Sequence, residues 1–148
     1  MDGKIQAYRH ADTMGKSQLE LILMVYDGAI KACHAAAARY QEDDSNGGFE
    51  EIRKVKKFVT HLYTTLDPGR GGEVAENLSR MYVYVLTQCY VIEATKDFEQ
   101  LKAITTILRN LRSAWVELRD REESARPGPS AEPIGVETEP LEDFVTTA

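Results

Sequence analysis

Long apolar runs are missing from this sequence of 148 residues: the longest, residues 21–26 and 81–86, have six members each. A helix that crosses a bilayer needs about twenty, so no membrane insertion is expected. The N-terminal stretch is also too polar for a signal peptide. Basic charge is in deficit, with 18 Lys and Arg against 24 Asp and Glu and a net charge of −6. Nucleic acid and anionic lipid surfaces attract the opposite balance, and neither is expected as a partner. Cysteine is scarce. Cys33 and Cys89 are far apart amid apolar neighbours, which reads as two reduced core thiols of a cytoplasmic protein.

Chemistry-bearing constellations are equally sparse. None of His10, His34 and His61 follows a Glu by three residues, the spacing a bundle needs for a carboxylate-bridged di-iron site. Neither cysteine has zinc or haem-attachment spacing. Gly69-Arg70-Gly71-Gly72 has neither the preceding strand nor the following Lys-Ser/Thr of a phosphate loop, so it reads as a turn. No cofactor, no metal and no catalytic residues are expected, and the chain does not read as an enzyme.

Helical periodicity is abundant. Ile22, Tyr26, Ala29, Cys33, Ala36 and Tyr40 recur in steps of three and four. So do Ile52, Val55, Val59, Leu62 and Leu66, then Leu78, Tyr82, Val85, Cys89 and Ile92, then Leu101, Ile104, Leu108, Leu111, Trp115 and Leu118. Each series is one apolar stripe on one helix. Ser17 with Glu20 forms a capping box before the first helix. Residues 43–48 and 67–72 break the next two helices apart, and Asp97 is placed to cap the fourth. Short connections force antiparallel neighbours. The expected fold is all-α: an antiparallel four-helix bundle over residues 17–125, preceded by a leader over 1–16. Residues 126–148 hold four of the five prolines and one base, Arg126, against five acids. That is the composition of a disordered acidic tail. Near its end Leu141, Phe144 and Val145 follow Pro140 with the spacing of one helical face.

Helices one and three carry more apolar residues than one stripe needs. The surplus is either deeper enclosure or a surface groove that receives a partner helix. The partner surface expected from it comprises Leu19, Leu23 and Tyr26 on helix one and Val83, Leu86 and Tyr90 on helix three. Ile5 and Tyr8 of the leader would serve as a displaceable plug. The basic run at residues 53–57 reads as a solvated face, with Glu50 paired to Lys54.

The segment Leu21-Ile22-Leu23-Met24-Val25-Tyr26-Asp27-Gly28-Ala29-Ile30 resembles the signature of the FliS family of flagellar export chaperones. The residues Leu66-Asp67, then Gly71-Gly72-Glu73-Val74-Ala75-Glu76-Asn77-Leu78 and Met81-Tyr82, are similar to that family's junction of helices two and three. So are the Asp97 turn, Leu111-Arg112-Ser113-Ala114-Trp115 and the leader segment Ile5-Gln6-Ala7-Tyr8. The sequence departs from the family pattern at Ser17-Gln18-Leu19, Tyr82-Val83-Tyr84 and Ile92-Glu93. The resemblance implies a cytoplasmic chaperone that binds the disordered C-terminal segment of flagellin and prevents premature filament polymerisation. It further implies delivery to the flagellar type III export gate, with room for a co-chaperone. Monomer and dimer stay open. The other reading is a non-catalytic bundle that self-associates through helix three.

Overall fold

The computed structural model describes residues 16–125, which form four helices: α1 Lys16–Gln41, α2 Ser45–Thr64, α3 Pro68–Thr95 and α4 Phe98–Ala125. Connections of three, three and two residues leave each helix no choice but to run back along the one before it. Helix α1 packs most extensively on α2 and then on α4, while α2 also packs on α3 and α3 on α4. The helices therefore stand in a square with α1 diagonal to α3. The all-α four-helix bundle expected from the periodicity is the fold observed. Ile5 and Tyr8, the leader, and the tail from Arg126 lie outside the described residues.

Each expected stripe faces the interior. Ile22, Tyr26, Ala29, Cys33 and Ala36 of α1 meet Ile52, Val55, Val59 and Leu62 of α2 in one buried cluster. Leu78, Tyr82, Val85, Cys89 and Ile92 of α3 join them, as do Leu101, Ile104, Leu108, Trp115 and Leu118 of α4. Helix α1 buries more than one stripe, because Leu19, Leu23 and Ala32 are enclosed as well. Its position between α2 and α4 gives it two neighbours to cover, which accounts for much of its apolar surplus. The stretch Leu19–Gln41 is long and apolar enough to cross a membrane by composition, but its apolar stripes are turned into this core.

The corners differ in detail from the sequence reading. Ser17 is the second residue of α1, so it is not the cap. At the next corner Asp44 caps α2, its carboxylate accepting the Gly47 N–H at 2.8 Å. Asp97 caps α4 as expected, accepting the Gln100 N–H at 3.1 Å. Asp43 and Lys96 adopt left-handed backbone at the ends of α1 and α3. Residues 68–72 are not wholly a break: helix begins at Pro68 and is interrupted at Gly72, whose φ of 54° and ψ of −130° suit glycine alone. A Cβ placed there would meet nothing within 4 Å, so any cost of adding one comes from the backbone. Gly72→Ala is expected to lower unfolding free energy by about 1–3 kcal/mol. Urea denaturation followed by circular dichroism checks this, and an unchanged midpoint would mean the kink relaxes freely.

Candidate functional site: apolar grooves flanking helix α2

A polar contact lies at the centre of the bundle. The Tyr26 and Tyr82 hydroxyls hydrogen-bond to each other across the α1–α3 diagonal, and Trp115 Nε1 of α4 donates to the Tyr26 oxygen at 3.1 Å. Tyr26 is 0% exposed and Trp115 1%. Burial, followed by the neighbouring Tyr82, raises the Tyr26 hydroxyl well above its ordinary range. The thiols are similarly enclosed: burial pushes Cys33 up to about 11 and Cys89 up to about 12. Thiols held protonated are poor nucleophiles at neutral pH. Among the described residues no three His, Cys, Asp or Glu side chains gather into a metal-binding group.

Beside this network Lys56 and Glu93 join α2 to α3. Their charged atoms are 2.7 Å apart, with side chains only 19% and 12% exposed. Glu93 Oε2 is buried and makes no aligned hydrogen bond, so the ammonium is its principal compensation. Lys56 Nζ also sits 4.2 Å from the centre of the Tyr90 ring. Burial, and secondarily the Glu93 charge, raises the Tyr40 hydroxyl. Lys56 thus leaves the solvated face expected of the basic run. Elsewhere in that run Arg53 pairs with Glu50 and Lys54 with Glu51 on the outside, each at three-residue spacing, in place of the expected Glu50–Lys54 pair, and Lys57 is exposed.

The open apolar surface lies along the C-terminal half of α2. Between α1 and α2 a groove of about 330 Å³ is lined by Leu21, Ile22, Met24, Val25, Phe58, His61 and Leu62. Leu21 and Met24 are 48% and 63% exposed. Phe58 forms its wall because α1 presents Gly28 opposite, where a Cβ would come within 2.6 Å of the ring. On the other side of α2 a second depression of about 730 Å³ is bounded by Tyr63, Leu66, Gly72, Ala75 and Ser79. The outer face of α3 adds Val83, Tyr84, Tyr90 and Val91, all exposed. Such exposed apolar surface is what an amphipathic helix of a partner can cover.

The partner surface expected from the sequence is divided by the structure. Leu19, Leu23 and Tyr26 are buried in the core and present almost nothing to a partner. Val83 and Tyr90 are exposed on α3, and Leu86 is half-buried against the core. Met24 and Phe58, which define the α1–α2 groove, were not among the expected residues. Phe58 follows Val55 by three and precedes Leu62 by four, a spacing that places it on the border of the α2 stripe.

A small helical bundle with exposed apolar grooves and a closed, hydrogen-bonded core fits the class of proteins that hold other polypeptides. The family model "Flagellar protein FliS" matches residues 1–122. The chain belongs to the FliS family. It is 28% identical over 106 residues to the flagellar secretion chaperone FliS of Salmonella typhimurium, covering 71% of this chain and 78% of that one. It is 24% identical over 120 residues to the flagellar secretion chaperone FliS of Campylobacter jejuni, covering 81% and 94%. With the Bacillus subtilis protein of the same name the identity is 25% over 122 residues, covering 82% and 90%.

Proposed function

We propose that this chain is a cytoplasmic, non-catalytic export chaperone that binds the C-terminal segment of flagellin. It keeps that segment from polymerising and delivers it to the flagellar type III export gate, where a co-chaperone could also join the complex. The observation that carries this reading is the α1–α2 groove, with Leu21 and Met24 exposed beside the Phe58 ring. An amphipathic segment that gains helical turns there would bury its own apolar face together with these side chains. Methionine suits the task, since its unbranched chain adapts to irregular partners.

Fully covering Met24 is worth about 1.5–3 kcal/mol. Met24→Asp is therefore expected to weaken binding of a flagellin C-terminal peptide at least about tenfold, as measured by calorimetry. The fold should survive, because the side chain is 63% exposed. Unchanged affinity would move the binding surface away from this groove. A second reading has its own support: Val83, Tyr84, Tyr90 and Val91 on α3 could pair two copies of the chain. That reading requires association that depends on chain concentration and not on flagellin.

A further inference from the structure

We infer that residues 140–145 of this chain, Pro-Leu-Glu-Asp-Phe-Val, dock in the α1–α2 groove and compete there with an incoming segment. The family match ends at residue 122, so the segment lies outside what this chain shares with the family. Three observations carry the inference. The first is position. Arg119 of α4 pairs with Glu20 of α1 at 3.5 Å, so α4 ends beside the beginning of α1. Leu21 and Met24 of the groove lie immediately past that contact.

The second observation is length. From Ala125 the chain must return about 9 Å along α4 and cross α1, a helix about 10 Å wide with its side chains. The path is therefore roughly 20 Å. The fourteen residues 126–139 include three prolines, and at about 3.1 Å per residue in an extended polyproline form they reach up to about 43 Å, enough to cover that path. A tether that spans its gap makes docking intramolecular, so the segment need not compete from free solution.

The third observation is chemistry. Leu141, Phe144 and Val145 have the spacing of one face of a helical turn, and Pro140 precedes them as it does at favourable helix starts. That face matches the apolar lining of the groove. Glu142 and Asp143 lie between these apolar residues in sequence, and Lys57, exposed one helical turn before His61 of the lining, supplies a cation beside the groove. A contact too weak to hold a free peptide is then favoured because the segment is tethered beside the groove.

The inference rests in part on the groove being the partner site, but its docking step is tested without flagellin. The full chain labelled with carbon-13 at its methionine methyls is compared with the full-chain variant Leu141→Asp/Phe144→Asp. The expected result is a displaced Met24 methyl resonance in the variant, with Met81 of α3 unchanged. A Met24 resonance identical in both chains overturns the docking. So does one that responds to Ile5→Asp/Tyr8→Asp and not to the tail variant, since the leader would then be the occupant. With docking shown, the tail variant should bind a flagellin C-terminal peptide severalfold more tightly than the native chain. Equal affinities overturn the competition. A peptide that binds neither chain, while Met24 still moves, supports the docking and contradicts the flagellin reading instead.

Discussion

Replacing Trp115 by alanine is expected to lower the stability of the bundle by about 3–5 kcal/mol, the range for removing a large aromatic from a core. Trp115 is 1% exposed, between the apolar series of α4 and the α1–α3 diagonal. Two losses add. One is the void left by the indole in an interior packed at crystal-like density. The other is the Nε1 donor to the Tyr26 oxygen, which leaves the tyrosine pair with one partner fewer in a place water does not reach. Trp115→Phe keeps most of the volume and loses the donor, so it should fall between the two chains. Because Trp115 is the single tryptophan, unfolding is best followed by circular dichroism. An alanine variant of native stability that no longer binds a partner would place the indole in the binding surface and not in the core.

Lys56→Met should cost about 2–3 kcal/mol, somewhat below the roughly 3–5 kcal/mol for breaking a fully buried ion pair. The discount reflects the 19% and 12% exposure of the two side chains. The loss comes chiefly from Glu93, whose buried Oε2 loses its compensating ammonium. The contact with the Tyr90 ring goes too. Adding Glu93→Leu removes the stranded carboxylate and is expected to restore most of the stability. The four chains of this double-mutant cycle isolate the pair from its surroundings. Equal losses in Lys56→Met and the double variant would show that Lys56 acts by packing alone. By contrast, the Arg112–Asp27 pair between α4 and α1 is partly exposed, 37% and 55% at the side chains, and contributes little.

The four stripes were legible because a helix repeats its apolar residues at a spacing no other element shares. Even Trp115 was placed correctly by register with Leu111 and Leu118. Across-helix relations were not legible. Nothing in the run Arg53-Lys54-Val55-Lys56-Lys57 distinguishes Lys56 from its neighbours until α3 brings Glu93 beside it. The contact of Phe58 with Gly28 likewise depends on how closely α1 and α2 approach. The surplus of apolar residues on α1 was visible, but its division was not. Leu19 and Leu23 turn inward because two helices flank α1, while Leu21, two positions before Leu23, and Met24, one after it, stay open. Periodicity gives the angle of a residue around its own helix and says less about how many neighbours that helix has.

Sedimentation velocity tests whether the exposed apolar surface of this chain receives a flagellin C-terminal segment, as we propose. The native full chain is run alone across a range of concentrations and again with a peptide of that segment. A one-to-one complex is expected, with binding lost when the peptide's apolar face is made polar. Sedimentation that responds only to the concentration of the chain, with no change on adding the peptide, would contradict the claim.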